Sequence, residues 1–404
     1  MKRRLAFLIA AIMVVSLLWT ANPVEAAKAT KYGKNYQKAL TLYKINKKNV
    51  YVAKKGADQK DITALAKEAA KTATQKKMAM VYVPAGTHKL KDAISVPANV
   101  VLVSEKDTVY IASKKMRKMA SVSGSVYGGK WDCNKKSDIV IWLNYVKFTG
   151  KNGEIRSCSM KNGCADAIHY GSCISKIRLG GAKAIGNTIY NFYLNGITAV
   201  NTGSFKEISG NKITKIGHDR TGSGLSITHA NVGTIKNNII KNCKGHGIST
   251  DTDQTQKTVV QKTVTINLIE GNDISDIGVH GIYLDENVLI RTIKNNKITK
   301  SKMVGLDIDL NSKVELLDGN TITNCDSGNI NLNGGKGSLV IGSNNIIKNS
   351  KTIGLAVGPG AKVTIKGTKN VIMNNENNVR VYESGGAKFV VKKNGNKIGQ
   401  VYVQ

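Results

Sequence analysis

Three aspartates hold the same place in successive repeats of this chain. Asp251, Asp285 and Asp309 each stand four residues after a glycine, Gly247, Gly281 and Gly305 respectively. Asp307 lies between the last glycine and the last aspartate, and His246 and His280 immediately precede the first two glycines. Stacked one above another at a strand spacing of ~4.8 Å, such carboxylates repel unless something neutralises them. A calcium ion could do so, because it takes several oxygen ligands, and Asp251, Asp285 and Asp309 are the candidate ligands. Acid/base chemistry is the other use. Adjacent rungs come near the ~5–5.5 Å of retaining glycosidases, and two rungs approach the ~6.5–9.5 Å of inverting ones. A β-elimination would instead need a uronate carboxylate neutralised and its α-proton removed, with Arg220, Lys244 or a neutral histidine as base. The candidate catalytic residues are therefore Asp251, Asp285, Asp307, Asp309, His246, His280, Arg220 and Lys244. A single exposed aspartate is usually only solvated, but aspartate avoids strands, so three in a column with two histidines beside them point to a functional face.

The elements that hold these residues in register are repeats. Units reading Asn-x-Ile, a polar stretch, then Gly-Ile or Gly-Leu begin at Asn187, Asn211, Asn238, Asn272, Asn296 and Asn320, with a seventh near Asn345. Asn187 to Asn211, Asn272 to Asn296 and Asn296 to Asn320 are each 24 residues, whereas Asn238 to Asn272 is 34. A period in the twenties with several short alternating strands means a solenoid, and the Leu-x-x-Leu-x-Leu pattern of leucine-rich repeats is absent. The expected fold is all-β: a single-stranded right-handed parallel β-helix, three strands per coil, with an N-terminal capping helix. The asparagines are expected to ladder at one turn and the glycines to allow a sharp corner. Ile197, Leu225, Ile248, Ile282, Leu306 and Ile330 should stack inward. The first outward column then reads His169, Thr198, Ser226, Ser249, Tyr283, Asp307 and Asn331. The second contains Thr228, Asp251, Asp285, Asp309 and Asn333, and His229 falls close to it. The extra residues of the long unit lie between Asp251 and Val264, where an insertion could wall a binding face. Cys243 and Cys325 share one column several coils apart and cannot pair; Cys133, Cys158, Cys164 and Cys173 are left open between pairing and buried thiols.

An Ala-rich amphipathic helix is expected over Asp61 to Lys77 with Asp61 as its N-cap. The segments GADQKDITALAKEA, VYVPAGTH and VYGGKWDCN together resemble the N-terminal part of the pectate-lyase-like superfamily, which includes polygalacturonases, pectate lyases and phage tailspikes. The likeness covers nearly the whole chain after the first residues, with His88 where that family usually has an aromatic. It implies the β-helix fold and leaves the reaction open. Gly245-His246-Gly247 resembles the Gly-His-Gly motif of polygalacturonases, whose histidine lies next to the catalytic carboxylates. The Asp pair that family places one coil earlier is replaced by Ser223-Gly224, and Asn201-Thr202 is followed by Gly203, so only His246 carries over.

The chain of 404 residues has 60 Lys+Arg against 27 Asp+Glu, a net charge of +33, 40 glycines and only 5% aromatic residues. Glycine without a G-X-Y period excludes collagen and fits a turn-rich β protein. Lys2, Arg3 and Arg4 precede an apolar run from Leu5 to Trp19 and small residues that offer cleavage after Ala26, which reads as a secretory signal peptide. The expected organisation is a signal peptide at 1–26, a basic segment at 27–55 and a β-helix domain at 56–404, and the densest basic run, Lys28 to Lys77, could be a mobile arm. Within that domain the cap takes 56–120, the coils about 121–390, and a C-terminal cap the rest. So positive a field attracts polyanions, or else the lysines are solvated cover. The leading reading is a secreted polysaccharide-active enzyme, a lyase or glycoside hydrolase, acting as a monomer on an acidic, uronate-containing glycan. The alternative is a non-catalytic β-helix that binds a glycan or cell-wall polymer. Nucleic acid has only net charge in its favour, and no stretch after the leader is apolar enough to cross a membrane.

Overall fold

The computed structural model describes residues 32–144, 148–172, 179–201, 203–218, 221–252, 263–392 and 394–404. The chain winds as a parallel β-solenoid. One wall is a 13-stranded sheet running from Ile94–Val96 to Val401–Val403, every neighbour parallel. The other two walls are joined as one 25-stranded sheet. They merge because the long strand Val100–Ala112 pairs with Ala79–Val83 at one end and with Gly86–Leu90 at the other.

The expected asparagine ladder is present and is longer than the repeats suggested. It runs through Asn187, Asn211, Asn238, Asn272, Asn296, Asn320, Asn345 and Asn370 to Asn396. Each rung works the same way. The Asn272 Oδ1 accepts from the backbone N–H of Asn238 at 2.9 Å and from its side-chain amide at 2.9 Å, while the Asn272 amide donates to Asn296 Oδ1 at 2.8 Å and to the Ile235 carbonyl at 3.0 Å. Fully buried amides that spend both ends in this way lock one coil to the next. The residue before each ladder asparagine turns the chain in the left-handed region, as at Gly210, Asn237, Gly271 and Asn295, a conformation that glycine and asparagine adopt cheaply.

The inward column is as read: Ile168, Ile197, Leu225, Ile248, Ile282, Leu306, Ile330 and Leu355 are register partners in turn and are buried. A glycine precedes all of these residues except Ile168 and Ile330, which follow Ala167 and Asn329, and it is required for a reason other than turn flexibility. Gly247 is not in the left-handed region, but a Cβ there would lie 2.5 Å from the Gly281 carbonyl oxygen and 2.6 Å from Ile274 Cγ2. The corner is tight because the coils touch.

The N-terminal cap differs from the expectation in three respects. The helix α2 spans Gln59–Thr72, and its N-cap is Asp58, with Asp61 closing a capping box at the third helical position. The basic segment is folded where it is described: helix α1, Lys34–Tyr43, packs Tyr36, Ala39 and Tyr43 against Met80, Tyr82, Val101 and Tyr127. Coil pairing already begins at Val50–Val52 and continues to Val401–Val403, beyond both expected limits. His88 is buried, its Nδ1 2.7 Å from the Ala57 carbonyl and its ring 5.4 Å from Tyr110, which makes it part of the cap. Cys133, Cys158, Cys164, Cys243 and Cys325 are free thiols, and burial pushes Cys158 and Cys243 up to about 12, so neither is a ready nucleophile. Cys173 and the leader at 1–26 lie outside the described residues. No helix among the described residues is long and apolar enough to cross a membrane.

The ladder yields a direct expectation. Asn272→Ala strips the acceptor from two buried donors of Asn238, so the variant should lose about 1–3 kcal/mol of stability and the amide protons of Asn211 and Asn238 should exchange faster. Lys297→Ala, on the outer surface, should change stability by no more than about 0.5 kcal/mol. Equal effects from the two changes would show that the ladder does not carry the stacking.

Candidate active site

The outer surface of the 13-stranded sheet carries a continuous polar strip. Along its first outward column His169, Thr198, Ser226, Ser249, Tyr283, Asp307 and Asn331 are successive register partners, as the corner alignment predicts. At its centre three rings lie nearly parallel. His246 and His280 are 5.3 Å apart at 11°, His246 and Tyr283 5.1 Å at 18°, and His280 and Tyr283 5.4 Å at 21°.

The protons in this cluster can be placed. The backbone N–H of Val304 donates to His280 Nδ1 at 3.2 Å, so the imidazole proton sits on Nε2, which faces Asp307 Oδ2 at 3.4 Å. Burial holds His280 down to about 4, with Asp309 pulling partly the other way, and burial plus the neighbouring His280 holds His246 down to about 4. Both imidazoles are uncharged at neutral pH, so the His280–Asp307 contact is a neutral donor meeting a carboxyl group and not an ion pair. Asp307 is only 5% exposed, although it faces outward. Burial, reinforced by Asp309, raises it to about 6, against the pull of Asn331 and Asn333, whose amides donate to Oδ1 at 3.1 and 3.2 Å.

Asp285 and Asp309 are half-buried at the rim. The Tyr283 hydroxyl reaches both, at 3.3 Å to Asp285 Oδ1 and 3.2 Å to Asp309 Oδ2. Burial and these two carboxylates drive the phenol well above its ordinary value. Thr252 donates its backbone N–H to Asp285 Oδ2 at 2.9 Å, and Leu310 does the same for Asp309 Oδ1. The stacked carboxylates are thus quieted by a hydroxyl, amides and burial. Among the described residues no group of three or more His, Cys, Asp and Glu is arranged to hold a metal ion, and Asp285 and Asp309 are bridged by the Tyr283 hydroxyl. A cation at Asp285 and Asp309 would have to displace donors already in place.

The remaining predicted residues separate. Asp251 is exposed at the end of its strand, in register with Thr228, and its carbonyl accepts from the backbone N–H of His229. Lys244 is exposed and lies off the strip, in a groove along the corner. Arg220 and the insertion at 253–262 fall outside the described residues.

The N-terminal half of the strip was not read as a site. Asp166, 5% exposed, accepts at Oδ1 from the Asn195 backbone and amide, both at 3.1 Å, and its Oδ2 lies 2.8 Å from His169 Nδ1. Asn195 Oδ1 in turn accepts from the Ser223 N–H at 2.8 Å, and the Ser249 hydroxyl donates to the Ser223 hydroxyl at 2.9 Å. Asp166, Asn195, Ser223, His246 and His280 all stand two residues before the inward position of their coils, so this column was available from the same alignment.

A family model described as right handed beta helix region matches residues 259–397. The A-module of mannuronan C-5 epimerase AlgE6 from Azotobacter vinelandii superposes with a TM-score of 0.57 at 14% identity, covering 88% of this chain and 99% of that one. The AlgE4 A-module from the same organism gives 0.55 at 13% identity, covering 87% and 97%. A search of curated proteins returns no match. The fold is a right-handed parallel β-helix.

The buried carboxyl makes a pH prediction. Asp307 keeps its proton up to about 6 in the folded chain and only to about 3.9 in the unfolded one. Between those values the folded state binds more protons, so this group's contribution to stability falls as pH rises. His246 and His280, held down to about 4, act oppositely, and their contribution rises from about pH 4 to 6.5. Asp307→Asn removes only the falling part. Relative to the wild type, the variant should gain on the order of 1 kcal/mol per pH unit between pH 4 and 6 in denaturant titrations. A stability difference independent of pH would contradict the elevated carboxyl.

Proposed function

We propose that this chain is a secreted polysaccharide-active enzyme that cleaves an acidic glycan by acid/base hydrolysis on the strip of Tyr283, Asp285, Asp307 and Asp309. The observation that carries the reading is the difference in environment between neighbouring carboxyl groups. Asp307 is buried and raised to about 6, while Asp285 and Asp309 sit at the rim and share the Tyr283 hydroxyl. Pairs of titratable groups pushed apart in this way mark acid and base roles. In this reading Asp307 supplies the proton to the leaving oxygen, with His280 Nε2 fixing its carboxyl. Asp309, held by Tyr283, activates the incoming water. The acidic substrate class is supported by the net charge of +33, and secretion by the leader-like first residues.

A second reading rests on the histidines. Two uncharged imidazoles stacked on Tyr283, with His246 Nδ1 buried and without a hydrogen-bond partner among the described residues, suit removal of the proton α to a uronate carboxylate. That step begins both elimination and epimerisation, and the mannuronan epimerase modules that share the fold make epimerisation the form to test.

The experiment is an incubation with polyuronates and neutral glycans, with and without a chelator, read three ways: new reducing ends, ultraviolet absorbance of unsaturated ends, and C5 configuration by NMR. Hydrolysis predicts reducing ends without unsaturation, undiminished by the chelator. Asp307→Asn and Asp309→Asn should each lower the rate ~10²-fold or more, and Asp251→Asn only a few-fold. Unsaturated ends or inverted C5 centres, abolished by His246→Gln, would replace hydrolysis with the second reading. Binding with no product on any substrate would refute both.

A further inference from the structure

Beside the strip, at the corner that leads into it, a groove of about 540 Å³ is lined by Lys244, Lys300, Lys302 and Lys351 together with Asp276 and Asp326. Its lysines are in register. The backbone N–H of Gly278 donates to the Cys243 carbonyl, that of Lys302 to Ile277, that of Asp326 to Ser301 and that of Lys351 to Cys325. These bonds place Lys244, Gly278, Lys302, Asp326 and Lys351 in one column on five consecutive coils. A lysine therefore recurs at every second coil, a spacing of roughly 9.6 Å.

The intervening positions keep the groove open. A side chain at Gly278 is excluded because its Cβ would lie 2.1 Å from the Lys244 carbonyl oxygen. Asp326 is turned to Lys351 at 2.8 Å. Lys244, Lys300 and Lys302, all exposed, form no ion pair among the described residues, whereas on neighbouring walls Lys241, Lys236, Lys294 and Lys161 each hold a carboxylate. Lys244, Lys300 and Lys302 are thus uncommitted cations in the groove, while Lys351, the third lysine of the column, is shared with Asp326.

We infer that this groove binds a two-fold, diequatorially 1,4-linked polyuronate along the solenoid axis, with alternate carboxylates on the lysines of alternate coils; the inference rests on the acidic-glycan reading above and names its chain geometry. Such a chain advances by close to one strand spacing per sugar, and its carboxylates point to the same side at every second unit. The match of periods selects this polymer over a polyanion of unrelated repeat. Lys244, Lys300 and Lys302 supply the attraction, and with no aromatic side chain among the described residues that line the groove, charge is the means of recognition.

The test measures binding by titration calorimetry of the chain lacking its first 26 residues, with mannuronate oligomers, galacturonate oligomers, cello-oligomers and inorganic polyphosphate. Mannuronate octamers should bind at least ten-fold more tightly than galacturonate or polyphosphate of equal charge, and cello-oligomers should not bind. Lys302→Gln should weaken the mannuronate complex about five- to ten-fold, and Lys297→Gln, on the adjoining wall, should not. His280→Gln should keep this binding while losing turnover, so the groove and the reaction can fail separately. Equal affinity for galacturonate, tighter binding of polyphosphate, or no effect of Lys302→Gln would each overturn the inference.

Discussion

The spacing of stacked coils is the constraint on which everything else in this protein depends. Parallel strands can sit only ~4.8 Å apart, and the buried asparagine ladder from Asn187 to Asn396 fixes which residue lies above which. A one-residue slip would turn every outward side chain inward. Because the ladder forbids that slip, any residue type repeated at one position of the coil becomes a column. The inward isoleucines, the corner glycines, the polar strip and the lysine row are four consequences of the same register.

The register also creates a problem that the site must solve. Columns place like groups at a separation where they repel, and the strip holds Asp285, Asp307 and Asp309 on two adjoining coils. The solution in this chain is asymmetric. Asp307 is sunk beneath His280, Asn331 and Asn333, where burial keeps its proton up to about 6. Asp285 and Asp309 remain at the surface and are joined through one phenol. The asymmetry that relieves the repulsion is also what separates acid from base. His246 and His280 relieve a similar strain by remaining uncharged, which allows their rings to stack.

Much of this was legible because the signal repeats. Aligning Gly247, Gly281 and Gly305 was enough to place Ser249, Tyr283 and Asp307 in one column and Ile248, Ile282 and Leu306 in another, and the register pairs agree. What alignment could not give was depth. Asp307 and Asp309 both face outward, yet only Asp307 is buried, because its neighbours on the next coils happen to close over it. Nor could it show that a hydroxyl joins Asp285 to Asp309, since Tyr283 reads as one more outward residue. The Asp166–His169 pair was less legible because its coil has Ala167 where most later coils have the corner glycine, so no Gly-Ile signal marks Asp166. Helix α1 was missed for a different reason: Lys34–Tyr43 reads as a basic tail until Tyr36 and Tyr43 find the apolar faces of Tyr82 and Tyr127.

The most direct test of the account is the tautomer and titration of His280, read from its ring nitrogen shifts by NMR in the chain lacking the leader. The register places a backbone N–H on its Nδ1 and Asp307 at its Nε2. The account predicts a neutral ring protonated on Nε2 at pH 7, staying neutral until the pH nears about 4. A ring protonated on Nδ1, or one that titrates near its ordinary 6.5, would mean that Asp307 is not held as described and that the strip is not built for acid/base work.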